Sequence, residues 1–458
     1  MKKSLLLIVP CLLSLISCNE VSSNISSSEE ISIELTDLPE TDLRRPKKEI
    51  DSLEELTYAL DYLTFYEIRG KVTFKIAYTY FNTIKRMKFE FSKARENSTI
   101  GDLFLIELDE TEFKDNHIIS LEVYPKDFSY EKSKGNKEVT LLPSINRKKE
   151  TPKEGVKYKL QKENKGEVRV SNSEQYYYCV SKGYLPVPLE NSKANEIDKE
   201  VKNVLSYVYN EENTNFQNLK NIFDYLTHDI EYDRVASKSI DFDLEKNQAY
   251  FLEGALINKL AVCDGKAKAY QTLCNYIGIE NVRIRATNDK GAKHAYNYVN
   301  LDGTWYLSCP TSGANIIDLD NISYQVPSYE MFLTNLETAL KPNWTYESVM
   351  FKDIEELISK ESFAYFENEN LVFNDEVALK SKIEESVRDN SSRQNFSLEF
   401  KASEESNLNI LDVLEALKKE FPKLRFEGLK HQVENQDIYS ILVLNVWKGE
   451  IYEKEKRI

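Results

Sequence analysis

Apolar residues along this chain recur with two different periods, which predicts a mixture of helices and strands. They repeat every three or four residues over 53–60, 197–208 and 216–230, and this spacing predicts amphipathic helices. They alternate with polar residues over 72–76 and 119–123, and this period of two predicts strands. The pattern indicates an α+β fold.

The same pattern suggests three folded regions. We expect an N-terminal α/β accessory domain over residues 51–190, a core domain over 191–343 and a small α/β domain over 344–458. Within the first region, the Lys- and Glu-rich stretch 129–170 is expected to be an exposed excursion. In the last region, a strand (396–400), a helix (410–417) and two further strands (424–428 and 439–446) are predicted.

Composition argues against a nucleic-acid partner. The chain has 458 residues, and its formal net charge is −16. An acidic chain without a Lys/Arg stripe repels phosphate backbones. With 41% hydrophobic residues, it has enough apolar side chains to build substantial cores.

The N-terminus has the pattern of a targeting segment. Lys2 and Lys3 precede an apolar run from Leu5 to Leu15, which is too short for a stable membrane span. The residues up to Cys18 resemble a bacterial lipobox, so we predict a lipoprotein signal peptide over 1–17 and lipidation of Cys18. A plain secretory signal cleaved near Ser17 is the alternative.

A lipidated Cys18 would place the protein outside the cytoplasm, anchored to the cell membrane. Several acyl chains on one residue anchor stably, whereas a single chain does not. The polar residues that follow, over 18–50, are predicted to form a disordered acidic tether between the anchor and the folded domains.

Four cysteines lie beyond the N-terminal segment, at irregular spacing. They are Cys179, Cys263, Cys274 and Cys309. No pair has the spacing of a zinc site or of a disulfide framework, and no loop has calcium-binding spacing. We therefore predict no metal and no cofactor, and we expect that one or more of the thiols serves chemistry.

Cys263 is predicted to lie at the head of a helix. Ala267, Tyr270, Cys274 and Ile277 share one helical face, which makes Cys274 a core residue. Cys263 precedes this face, at a position where the helix dipole and unpaired N–H groups favour a thiolate. Gly265 would let another group approach the backbone. The alternative is that Cys263 is simply a small buried side chain.

His294 is predicted to approach Cys309 across a hairpin. Asp302-Gly303 is a strong two-residue turn signal, and the resulting register places Tyr296 opposite Cys309. His294 and Cys309 are then diagonal neighbours on one face, about 7–8 Å apart between backbones. The preceding strand, 282–286, is expected to direct Arg283 and Arg285 outward. The other histidines are interpreted as surface residues: His117, His228 and His431.

The region from Phe223 to Thr311 resembles the bacterial transglutaminase-like superfamily, whose core is papain-like. The segments that carry the resemblance are Asp224–Leu226, Ile230–Asp233, Tyr250–Leu256, Ala261–Ala269, His294–Asn297 and Leu301–Tyr306, with Ser173–Gln175 to Gly183–Tyr184 upstream. The resemblance implies a papain-like core with a cysteine at a helix head and an antiparallel sheet that carries the histidine. The patterns over 51–190 and 344–458 predict small α/β domains on either side.

The resemblance also implies a Cys-His-Asp triad that acts on amide carbonyls. Cys263 matches the nucleophile and His294 the general base, whereas Cys309 stands where the family usually has its aspartate. A neutral thiol accepts hydrogen bonds weakly, so this substitution removes a good orienting group for the histidine. Asp318 and Asp320 follow in sequence, and either is a substitute carboxylate if the fold brings it to His294.

Three hypotheses follow from this departure. The first is a membrane-anchored thiol enzyme that cross-links, deamidates or hydrolyses peptide or protein amides. The second is an inactive domain of the same fold that binds peptide or cell-envelope material. The third is a disulfide between Cys263 and Cys309 that switches the site off, which requires that no imidazole lie between the two sulfurs.

Overall fold

A computed structural model of the chain describes most residues from 42 onward. The described residues are 33–34, 42–77, 83–100, 104–109, 118–125, 139–141, 165–238, 247–288, 292–336, 344–346, 354, 356–389, 395–403, 408–433 and 436–445. The predicted signal peptide, the lipidation site Cys18 and His117 lie outside these residues. No helix in the described part is long and apolar enough to cross a membrane.

The N-terminal region is a five-stranded sheet accompanied by two helices. Its elements are β1 (Ile33–Glu34), β2 (Glu49–Ile50), α1 (Leu53–Phe65), β3 (Gly70–Ile76), α2 (Ile84–Asn97), β4 (Phe104–Asp109) and β5 (Ile118–Pro125). The hydroxyls of Ser52 and Thr83 accept hydrogen bonds from the first turns of α1 and α2, which explains where these helices begin. The predicted helix and both predicted strands are confirmed here.

The predicted tether extends too far into the folded region. Leu43 and Ile50 are 1% and 0% exposed, and β2 pairs with β3. Arg44 forms a salt bridge with Glu55 at 2.8 Å. Residues 42–50 are therefore part of the folded region, because their apolar side chains reach the core and their charged groups find partners there.

The predicted excursion over 129–170 is also structured where it is described. It contains two strands, β6 (Val139–Leu141) and, at its end, β7 (Glu167–Val170). β6 pairs with β15 (Ile322–Pro327), so a strand from the N-terminal region completes a sheet of the core region. Long-range pairing of this kind has no local sequence signal.

A group of helices forms the centre of the molecule. They are α3 (Ser173–Lys182), α4 (Lys193–Val208), α5 (Asn215–His228), α6 (Arg234–Lys238) and α7 (Cys263–Tyr276), with a 3-10 turn (Gln248–Tyr250) and a π-helical turn (Glu253–Ile257) before α7. Short strands β8 (Leu185–Pro188), β9 (Glu231–Tyr232) and β10 (Leu260–Ala261) connect them. The two predicted amphipathic helices correspond to α4 and α5. Their apolar faces are buried, and Thr214 and Gln217 form a capping box at the start of α5.

An antiparallel sheet packs against α7. It contains β11 (Asn281–Asn288), β12 (Lys293–Leu301), β13 (Thr304–Ser308) and β16 (Trp344–Tyr346), in the order β13-β12-β11-β16. The hairpin register is confirmed, since Leu301 pairs with Thr304 and Asn297 with Ser308. Asp302 and Gly303 both have positive φ, at 52° and 97°, as the predicted two-residue turn requires.

The remaining elements form two further sheets. β14 (Ala314–Leu319) and β15 join β6. The C-terminal region contains α8 (Tyr365–Asn368), β17 (Val372–Phe373), α9 (Glu376–Asp389), β18 (Phe396–Ala402), α10 (Ile410–Glu420), β19 (Leu424–Val433) and β20 (Gln436–Asn445). Its predicted strands and helix are confirmed. One continuous apolar core runs from Leu43 to Val443, and the described regions therefore pack on one another. The fold is α+β.

Candidate active site

Cys263 is the first residue of α7, at the position that the sequence predicts. The preceding residue, Val262, has no side-chain acceptor, so no N-cap side chain covers the first turn of the helix. The backbone N–H of Val262 donates to the carbonyl of Ala249 at 3.0 Å. A Cβ at Gly265 would lie 2.3 Å from that same oxygen, so only glycine lets the helix head pack this closely. Cys263 itself is partly exposed.

His294 and Cys309 are in direct contact. The Nε2 atom of His294, on β12, lies 3.2 Å from the Sγ atom of Cys309, which follows β13. This is the diagonal approach that the hairpin register predicts. Nε2 faces Cys309, and the ring also makes a hydrogen bond with Cys263. The imidazole is therefore shared between the two thiols.

Cys309 is buried and surrounded by hydrogen-bond donors. It is 1% exposed. Its Sγ lies 3.4 Å from both the hydroxyl and the backbone N–H of Ser312. The backbone N–H of Cys309 donates to the carbonyl of Met331 at 2.8 Å, which holds this residue in place beyond the end of β13. The sulfur accepts from the Ser312 N–H, and as a thiolate it could also accept from the Ser312 hydroxyl and from Nε2 of His294.

The electrostatics of the pair favour opposite charges. Burial disfavours the charged forms of both His294 and Cys309. The charge and hydrogen bond that each group offers the other outweigh this effect of burial. The negative charge of Cys309, together with the hydrogen bonds to Cys263 and Cys309, raises the pKa of His294 well above its ordinary value. The imidazolium charge and its hydrogen bond, assisted by Ser312, lower the pKa of Cys309 to about 7.

A buried network of charges fixes the first turns of α7. Lys268 Nζ lies 3.0 Å from a carboxylate oxygen of Glu174, on α3, and 3.5 Å from one of Asp264. Arg283, on β11, pairs with the other oxygen of Asp264. Burial opposes the charge of Asp264, but Arg283 and Lys268 hold the pKa of that carboxyl below its ordinary value. The network connects Asp264, the residue after Cys263, to β11 directly and to α3 through Lys268.

The expectation that Arg283 and Arg285 point outward is wrong. The Arg283 side chain is only 7% exposed, and Arg285 donates to the carbonyl of Glu96, at the end of α2, at 2.7 Å. The second face of the sheet is covered by α7 and by residues 96–99, so alternation along the strand does not separate core from solvent here.

Two residues near the thiols were not singled out from the sequence. Lys266 is fully buried, at 0% exposure, and its Nζ donates to the carbonyl of Leu226 at 2.9 Å. Burial raises the pKa of Tyr232 to about 12, and the charges of Cys263 and Cys309 contribute to that rise. A sequence signal for the burial of Lys266 exists: it lies at helical spacing before Tyr270 and Leu273 of α7 and Ile277, which follows the helix.

Cys179, Cys274 and His228 lie outside this cluster. Cys274 is 0% exposed, as predicted for a core residue, and Cys179 is buried as well. His228 is less exposed than expected, at 14%, because it ends α5 and its ring faces Asp229 at 3.3 Å. His431 lies on β19. No cluster of metal-ligating side chains occurs among the described residues.

Neither of the proposed substitute carboxylates is free to serve His294. Asp318 accepts a hydrogen bond from Ser323, and Asp320 pairs with Arg425. The disulfide hypothesis also fails in this structure. Cys263 and Cys309 are both free thiols, and the imidazole of His294 contacts both of them.

Comparisons with known proteins reveal partial similarities. No protein-family profile matches the chain. Human kyphoscoliosis peptidase is 26% identical over 127 residues, which are 25% of this chain. The chain spans only 18% of that protein's length.

Two solved structures are also similar over part of the chain. A candidate cysteine protease from Cytophaga hutchinsonii has 16% identity over 29% of this chain and 42% of its own, with a TM-score of 0.21. A transglutaminase structure has 11% identity over 64% of this chain and 71% of its own, with a TM-score of 0.23. The chain is thus weakly similar to proteins of the transglutaminase and cysteine-protease type.

Proposed function

We propose that this protein is a thiol enzyme of the transglutaminase and papain type, acting on peptide or protein amides. The observation that supports it best is the position of the His294 ring. It contacts a partly exposed thiol at a helix head, Cys263, and a buried thiol, Cys309, 3.2 Å from Nε2. Nucleophile, base and orienting group in that order form the arrangement that covalent acyl transfer requires.

The proposed reaction has two steps. In the first, the Cys263 thiolate attacks the amide carbonyl carbon, a C–S bond forms, and the oxygen takes the negative charge. When this intermediate collapses, the C–N bond breaks and the His294 imidazolium gives its proton to the departing nitrogen. In the second, water or an amine attacks the thioester, His294 takes its proton, and the sulfur leaves as a thiolate.

The papain-like core is part of the same proposal. In support of it, α7 begins at the candidate nucleophile and packs against β12, the strand that carries the candidate base. The dipole of α7 and the uncapped N–H groups of its first turn favour negative charge at Cys263 and on a nearby carbonyl oxygen.

An exported, lipid-anchored location is also proposed. The basic residues Lys2 and Lys3, the apolar run and the lipobox-like approach to Cys18 support it. A Cys18→Ala variant should leave the membrane fraction of cells, whereas a Cys179→Ala variant should remain in it. Equal membrane recovery of both variants would contradict the anchor.

The enzymatic proposal is tested with purified protein and a panel of glutamine-containing peptides. Ammonia release and thioester formation are measured for the parent, for Cys263→Ala and for Cys179→Ala. Cys179 is a matched control because it is a buried cysteine on α3. We expect turnover in the parent and the control, and none in Cys263→Ala. If no peptide is turned over, but Cys263→Ala and the parent bind the same peptides, the protein is a binding domain instead.

A further inference from the structure

The side chain of Lys266 is buried next to the candidate active site. It lies one helical turn after Cys263 on α7, is 0% exposed, and donates from Nζ to the carbonyl of Leu226 at 2.9 Å. One carbonyl does not compensate for taking an ammonium group out of water. A lysine buried this completely needs a negative partner, or it loses its proton.

The turn that begins at Cys309 packs against the last turn of α5, which also accepts the hydrogen bond from Lys266. The backbone N–H of Gly313 donates to the carbonyl of Cys309 at 2.9 Å, which closes a turn over residues 309–313. A Cβ at Gly313 would lie 2.9 Å from the Thr227 methyl, so the turn is packed tightly onto α5. Thr227 is adjacent to Leu226, the partner of Lys266. The ammonium group and the Cys309 turn therefore converge on the last turn of this helix.

Among the described residues, two negatively charged groups act on Lys266. Burial lowers the pKa of Lys266 to about 7, and the negative charges of Cys309 and Glu231 oppose that effect. On α5, Lys220 and Asp224 neutralise each other at 2.9 Å. Among the described residues, the charge of Cys309 acts on Lys266 of α7, on His294 of β12 and on Tyr232 of β9.

We propose that Lys266 is a positioning residue, whose ammonium group is the counter-charge for a Cys309 thiolate. Together the two groups replace the carboxylate that orients the histidine in a Cys-His-Asp triad. The ammonium group stabilises the thiolate, and the thiolate then accepts the hydrogen bond from Nε2 of His294. The consequence for turnover rests on the proposed function, whereas the charge pair itself does not.

Titration of the thiolate tests the pair without any substrate. Ultraviolet absorbance of thiolates is followed against pH in a Cys263→Ala protein, and the curve of Cys263→Ala/Cys309→Ser is subtracted to isolate Cys309. Lys266→Met should move the midpoint of Cys309 to higher pH by at least about one unit. Lys259→Met is the matched control, since its amine also donates to a backbone carbonyl, that of Leu256, and it should leave the midpoint unchanged. An unchanged midpoint in Lys266→Met would overturn the proposal.

A double-mutant cycle tests the consequence for turnover. An aspartate at position 309 is ionised at neutral pH without help, so it should not depend on Lys266. Lys266→Met should lower kcat/KM at pH 6, where Lys266 carries its proton, by ~10-fold in the parent and move the acid limb of the profile to higher pH. In the Cys309→Asp background, the same substitution should have little effect.

Equal losses in both backgrounds would mean that Lys266 acts only on the fold, and would overturn the positioning role. If no variant turns over any substrate, the proposed function fails, while the thiolate titration still decides whether the Lys266–Cys309 pair exists.

Discussion

Nε2 of His294 lies 3.2 Å from Sγ of Cys309, just beyond the end of the strand that pairs with the one carrying the histidine. Burial opposes charge on both groups, but the contact raises the pKa of the imidazole and lowers that of the thiol to about 7, which favours the imidazolium–thiolate form of the pair. A thiolate is an anion, as a carboxylate is, and it therefore favours the imidazolium and fixes which nitrogen carries the proton. In the proposed mechanism, a Cys309 thiolate therefore takes the role of the carboxylate in a Cys-His-Asp triad.

The first prediction concerns substitution of Cys309. Cys309→Ala removes the group that orients His294 and should lower kcat/KM on a glutamine peptide by ~100-fold. Cys309→Asp should retain activity and extend the acid limb of the pH profile to lower pH, because a carboxylate stays ionised at pH values where Cys309 is protonated. Steady-state kinetics from pH 5 to pH 9 measure both. Equal activity of the alanine variant and the parent would remove Cys309 from the mechanism.

A second prediction links Lys266 to stability. Its folded-state pKa, about 7, is below its ordinary 10.5, so the unfolded chain binds more protons between these values. The cost of burying Lys266 is therefore fully present below pH 7 and disappears as pH rises toward 10.5. Lys266→Met should raise the free energy of unfolding, by up to about 4 kcal/mol at pH 6 and by much less at pH 10. Thermal unfolding across this range measures it. A gain that does not depend on pH would contradict this assignment.

A third prediction concerns the ion pair between Lys268 and Glu174. Both side chains are almost completely buried, at 6% and 2% exposure. Without the charge of Glu174, the buried cations Lys268 and Arg283 share the single carboxylate of Asp264, so Glu174→Gln should destabilise the protein by about 3 kcal/mol. Glu196→Gln is the control, because its pair with Lys193 is half exposed and contributes little. Denaturant unfolding of the two variants should differ clearly, and similar curves would argue against the network.

The fourth prediction concerns the close packing under the helix head. A Cβ at position 265 would lie 2.3 Å from the carbonyl oxygen of Ala249, which is backbone and cannot rotate away. Gly265→Ala should therefore destabilise the protein by about 1–3 kcal/mol and displace Cys263 from His294. Thermal unfolding and the alkylation rate of Cys263 report the two effects separately. A stable variant with unchanged alkylation would show that this packing does not position the thiol.

Local sequence signals predicted much of the site. Asp302-Gly303 set the turn, and with a period of two along each strand the turn also set the approach of His294 to Cys309. The periodic face of α7 placed Cys274 in the core and Cys263 at the first residue of the helix. These features depend on residues close in sequence, and that is why they could be predicted.

Features that depend on long-range packing were missed. Alternation along β11 indicates two faces, but it cannot show that α7 and residues 96–99 cover the face with Arg283 and Arg285. Likewise, the pairing of β6 with β15 and the burial of Leu43 join segments that are distant in sequence. The burial of Lys266 was not predicted either, because a lysine is rarely buried without a partner.

The most direct test of the account is the alkylation rate of each cysteine, resolved by peptide mass spectrometry at neutral pH. We predict that Cys263 reacts much faster than Cys179, Cys274 and Cys309, which are buried, and that His294→Ala slows Cys263 by ~10-fold or more. A slow reaction at Cys263 that His294→Ala leaves unchanged would contradict the central claim that His294 activates this thiol.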